Sequence, residues 1–124
     1  MARESLHRLD EASRPYGRLR IAYLRSLAVL EAWEGRTTQA IATLDEAKTL
    51  AQELKLPGEI WEVEAKLAEL FMANGEHHKA EQARKTAREG IQKLAERIED
   101  VEVKREFLEF ARSQVIEEIP MSKI

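Results

Sequence analysis

Apolar residues recur every three or four positions along most of the chain, and the recurrence breaks at a few glycines and prolines. That spacing is the helical period, and no strand-like alternation competes with it. It predicts six helices. The first covers about 3–13 with Leu6 and Leu9, and the second about 17–34 with Leu19, Tyr23, Leu27 and Leu30. The third covers about 38–54 with Ile41, Leu44, Ala47, Ala51 and Leu54, and the fourth about 58–74 with Ile60, Val63, Leu67 and Phe71. The fifth covers about 77–98 with Ala80, Ala83, Ala87, Ile91, Leu94 and Ile98. The sixth covers about 101–118 with Val101, Phe107, Leu108, Ala111 and Val115.

The breaks have local causes. Gly35 and Gly75 suit the left-handed position that ends a helix. Thr37 or Thr38 is expected to cap the third helix and Asp100 the sixth, each by accepting a bond from a free amide. Pro57 suits a first helical turn, where its missing amide proton is not needed. Gly90 falls inside a predicted helix at a cost of about 1 kcal/mol relative to alanine, so a close approach or a kink is expected there. The tail PMSKI is expected to be frayed or loosely packed.

The helices repeat. LAVLEAWEGRTTQA (27–40) aligns with LAELFMANGEHHKA (67–80) at an offset of 40 residues. Leu27, Ala28, Leu30, Gly35 and Ala40 match Leu67, Ala68, Leu70, Gly75 and Ala80; Ala47 and Leu54 match Ala87 and Leu94. The alanines allow partner helices to approach, and larger side chains there would overpack at a cost of roughly 1–3 kcal/mol. Each hairpin has an apolar side that it cannot bury alone, so stacking is required.

This pattern resembles the tetratricopeptide repeat. The leucine and small residue of that family's first helix match Leu27-Ala28 and Leu67-Ala68, the turn glycine matches Gly35 and Gly75, and the second-helix alanines match Ala40, Ala47, Ala80 and Ala87. Phe71 matches the later aromatic of the first helix, where the first unit has Glu31. Leu44 matches the large residue between the alanines, where the second unit has Arg84. The usual early tryptophan is replaced by Leu24 and Glu64, and the period of 40 exceeds the common 34. The long form is similar to helical regions of large bacterial transcriptional and signalling regulators, and LAERIEDVEVKREFLEF (94–110) resembles their closing segment.

The resemblance implies an all-α fold of antiparallel helix hairpins stacked as a short right-handed superhelix. Its expected parts are a partial preceding repeat helix in 1–16, hairpins in 17–57 and 58–99, a capping helix in 100–119 and a tail in 120–124. RLDEA (8–12), echoed by TLDEA (43–47), fits a chain cut from a longer protein. The resemblance further implies a concave wall that binds a peptide or partner helix. Carried over, that wall comprises Ala22, Arg25, Val29, Ala32 and Trp33, then Glu62, Ala65, Glu69 and Met72, then Arg105, Glu109 and Arg112. Arginine and tryptophan are common interface anchors, although Trp33 could instead plug the junction between hairpins. Glu69 and Met72 stand where a carboxylate clamp would need other residues, so Glu62 and Glu69 favour a basic partner over an acidic tail.

Composition narrows the remaining classes. The chain has 124 residues, a formal charge of -3, and apolar and charged fractions of 44% and 35%, which suits one folded domain rather than a disordered segment. It has no cysteine, which excludes disulfides and thiolate chemistry. No apolar run approaches a membrane span of roughly 20 residues, so a cytoplasmic setting without membrane contact is expected. Residues 1–25 hold six arginines against three acids, and 99–118 hold seven acids against three bases. That bias, with Leu6 and Leu9 at one end and Phe107 and Phe110 at the other, leads us to expect self-association through the end helices.

His77 and His78 are adjacent, so on a helix they diverge by about 100° and make a poor metal pair. No serine lies in a nucleophile motif, and no phosphate loop is present. Arg84, Lys85, Arg88, Lys93 and Arg97 form a basic patch that Glu81, Glu89 and Glu96 interrupt, which disfavours nucleic acid. The expectation is a noncatalytic protein-interaction or assembly module with no metal or cofactor, within a bacterial regulatory protein. The alternative is a sensory module that binds a peptide or small ligand and controls an attached effector.

Overall fold

The computed structural model describes residues 17–115, and the predicted helix at 3–13 and the tail lie outside these. The described residues form five α-helices and no strand. They are α1 (Gly17–Trp33), α2 (Thr37–Glu53), α3 (Pro57–Ala73), α4 (His77–Glu96) and α5 (Val101–Gln114). Each of the first four packs along its successor, α5 rests on α4, and α1 also touches α3. Three-residue connections join the first four helices, and links this short make neighbours antiparallel.

The first four helices begin at 17, 37, 57 and 77, a period of 20 nested inside the repeat of 40. The turns share one hydrogen-bond pattern. In the first, the Gly35 amide donates to the Ala32 carbonyl at 3.0 Å and the Arg36 amide to the Glu31 carbonyl at 2.8 Å. Lys55 with Leu56, and Gly75 with Glu76, repeat it. This arrangement needs a left-handed residue, supplied at φ 79° by Gly35, 77° by Gly75 and 55° by Lys55. A lysine there carries a steric cost that glycine avoids. Lys55→Gly is therefore expected to stabilise the fold by about 0.5–1 kcal/mol after the greater freedom of the unfolded chain is deducted. Urea unfolding tests this, and an unchanged or lower stability would contradict the turn.

The threonine caps are corrected. Arg36 takes the N-cap position of α2 without a side-chain bond, and Thr37 already lies within the helix. Asp100 does cap α5, accepting from the Val103 amide at 3.0 Å. Pro57 occupies the first turn of α3. α4 ends at Glu96 rather than 98, because the Arg97 and Ile98 amides close it with i−3 bonds, and α5 runs to Gln114.

The core has two parts. One gathers Ile21, Leu24, Ala28, Ala40, Leu44, Ala47, Val63, Leu67 and Ala68 from α1, α2 and α3, together with Ala83 of α4. The other gathers Trp61, Ala65, Ala87, Ile91, Ala111 and Val115 and ties α5 to the rest. Gly90 is a close approach: a Cβ added there would lie 3.1 Å from the Trp61 Cβ. Val101 is corrected from the apolar side of its helix to 78% exposed, since the α5 face that buries Ala111 does not include it.

Candidate functional site

Two concave surfaces lie on opposite sides of α3. The first holds part of the wall expected from the sequence. Arg25, Glu62, Ala65 and Glu69 surround a notch of about 140 Å³ with Trp61, Lys66, Phe110 and Gln114. Arg25 bonds to Glu62 at 2.8 Å and reaches Glu59 at 3.4 Å, clipping α1 to α3. Lys66 engages Glu69 at 3.0 Å. Both carboxylates expected to attract a basic partner thus already hold cations of the chain itself.

The other expected wall residues lie apart from the notch. Val29 is 50% exposed, and Trp33, at 87% exposed, does not plug a junction. Ala22 is exposed and Ala32 half-buried. Met72 sits at the end of α3 with its sulfur 3.1 Å from Nδ1 of the exposed His77. Arg105 pairs along α5 with Glu102 at 2.6 Å and Glu109 at 3.7 Å, and Arg112 is exposed.

The second surface is larger and was not expected. It is an open trough of about 1000 Å³ between α2 and α4, with α3 as its floor. An eleven-residue stretch of each wall lines it, from Thr38 to Lys48 and from Lys79 to Glu89, which at the helical rise is about 15 Å from end to end. Ile41, Ala42, Phe71 and Ala83 supply apolar surface, and Asp45, Glu76, Lys79, Lys85 and Glu89 supply charge. Phe71 lies in the trough with the Lys79 ammonium 5.9 Å from its ring centroid.

One end of the trough holds a buried carboxylate. Glu64 has a side chain 7% exposed and lies 3.6 Å from the Lys48 ammonium. Burial raises its pKa above the ordinary 4.5, opposed by the Lys48 charge and by hydrogen bonds from Lys48 and Thr86. A raised carboxyl pKa means that the folded chain binds the extra proton more readily than the unfolded chain. The ionised group therefore costs stability at neutral pH, and that cost fades as pH falls toward 4.5. Glu64→Gln should thus gain on the wild type most near pH 7 and progressively less on acidification, read by thermal unfolding. A difference independent of pH would contradict the placement of Glu64. At the other end, Glu76 is half-buried, and bonds from Asn74 and Lys79 lower its pKa.

The two repeat units settle their buried polar positions differently. In the first, the Thr43 hydroxyl donates to the buried Glu31 at 2.6 Å. Forty residues on, that pair becomes Phe71 and Ala83. Leu24 and Leu44 of the first unit become Glu64 and Arg84 in the second, both buried. Arg84 pairs with Glu81, to which Arg88 also reaches, so the basic patch on α4 is broken from within.

Among the described residues, no group of three metal-ligating side chains comes together, and no helix is long and apolar enough to cross a membrane. Comparison with protein-family models, curated proteins and solved structures finds no match for this chain. The arrangement is a multi-helix one consistent with helical-repeat architecture.

Proposed function

We infer that this chain is a noncatalytic interaction module of helical-repeat type that receives a peptide or partner helix in the trough between α2 and α4. The observation that carries this reading is the trough itself: it is about 15 Å long by the helical rise, with apolar residues on its surface and charges of both signs along it. An amphipathic segment laid there would bury its apolar side on Ile41, Ala42, Phe71 and Ala83 and meet the lysines and carboxylates at the edges. The tetratricopeptide resemblance supports the same class of function. It also supports a place within a larger bacterial regulatory or signalling protein, with the hairpins following a right-handed superhelix.

Glu64 gives a narrower second reading, a sensory module whose ligand offers a cation to that carboxylate in exchange for Lys48. Selection from a displayed peptide library separates the two. Ala42 is exposed on the trough surface, and arginine is a good helix former, so Ala42→Arg obstructs the trough without disturbing α2. Selected peptides should lose binding at least tenfold to Ala42→Arg and keep it with Trp33→Ser. Peptides indifferent to Ala42→Arg would overturn the trough as the site. Selected peptides that depend on a basic residue, and lose that dependence with Glu64→Gln, would favour the second reading.

A further inference from the structure

We propose that α5 is exchangeable between copies: α4 and α5 straighten into one helix, and a second copy of this chain seats its own α5 on α3 and α4. The single chain already shows what fills that groove. Phe107, Leu108 and Ala111 of α5, with the following Val115, close over Trp61, Ala65, Ala87 and Ile91. The α5 of another copy offers the same side chains to the same seat. The exchange is reciprocal, so it closes as a two-fold dimer.

The link between α4 and α5, residues 97–100, differs from the other three. Those each reverse the chain through a left-handed residue, Gly35, Lys55 or Gly75, whereas no residue of 97–100 has a positive φ. Neither glycine nor proline occurs from Ile91 to Gln114. The bend is held by two i−3 bonds, from the Arg97 and Ile98 amides, and by the Asp100 cap on the Val103 amide. At about 100° per residue, a helix carried through the link would place Ile98 and Val101 on the side of α4 that buries Ala83, Ala87 and Ile91. In the bent chain Val101 is instead 78% exposed. Straightening exchanges the cap for continuous helical bonds, and two antiparallel copies crossing at the link cover Ile98 and Val101 of each. The contacts of α5 with its groove are the same in both forms, so concentration decides between them. The α4 wall of the trough ends at Glu89, ahead of the link, so the dimer carries two troughs.

Refolding from urea at about 1 mM should yield a dimer that gel filtration separates from the monomer. Combining isotope-labelled and unlabelled chains before refolding should give a dimer with Overhauser cross-peaks from the Trp61 ring of one copy to Phe107 and Phe110 of the other. Val101→Pro locks the bend without disturbing it. Proline suits the first helical position, and Asp100 before it is already extended at φ −71° and ψ 122°. A helix carried through the link would break there, so the variant should lower the dimer fraction about tenfold or more. Asp100→Ala, which removes the cap, should raise it severalfold. A chain that stays monomeric, a dimer without those cross-peaks, or a dimer fraction that neither variant changes would overturn the proposal.

Discussion

Trp61→Ala is expected to lower stability by about 3–5 kcal/mol, a loss in the upper range for core truncations. Trp61 is 2% exposed and stands where α3, α4 and α5 meet. Its ring takes edge contacts from Phe107 at 6.3 Å and Phe110 at 6.4 Å between centroids, and Gly90 leaves the room for its Cβ. Beyond the cluster around Trp61, α5 has little attachment: its backbone approaches α4 far less closely than the first four helices approach one another. The loss should therefore appear first as undocking of α5. Amide exchange within Val101–Gln114 should speed up while α1 and α2 keep their protection. Equal loosening of all five helices would show that Trp61 does not hold α5 specifically.

Leu67→Ala should cost about 2–5 kcal/mol by a different route. Leu67 is 1% exposed within the other part of the core, among Leu44, Val63 and Ala68. It belongs to the recurring Leu-Ala pair of the repeat, and its removal leaves a cavity that the helices cannot close without losing their contacts with each other. Domains of this kind have only about 5–15 kcal/mol in total, so the variant loses a large share of its stability. Because this core joins both hairpins, exchange should rise across α1 through α4 in one cooperative step. Urea unfolding with amide exchange distinguishes the pattern from that of Trp61→Ala. A cost below about 1 kcal/mol would mean that Leu67 is not a buried seam residue.

Most helices were legible because periodic leucines and alanines coincide with two glycine turns. Gly35 and Gly75 announce their turns through their freedom at positive φ, whereas Lys55 makes the same turn with no such signal, and the 20-residue period went unnoticed with it. Trp61 was overlooked as a core residue, although Trp61, Ala65 and Ala68 stand at intervals of four and three and the small Gly90 needed a partner. Glu31, Glu64 and Arg84 stand in the sequence as departures from the family pattern, with nothing to mark them as buried; their burial depends on Thr43, Lys48 and Glu81, two of which act across helices, beyond the reach of a periodic pattern. The expected wall was set by the resemblance, so attention fell on α1, α3 and α5. The larger trough lies on the other side, between α2 and α4, where the small Ala42 and Ala83 keep its surface open.

The contrast between the two tryptophans tests the stacked arrangement most directly, through nuclear Overhauser contacts of their indole rings in dilute solution. The account predicts cross-peaks from Trp61 to Phe107, to Phe110 and to the α-protons of Gly90, and none from Trp33 to the leucines of the core. Contacts from Trp33 to Leu44 or Leu67, or a Trp61 ring without neighbours on α4 and α5, would contradict it.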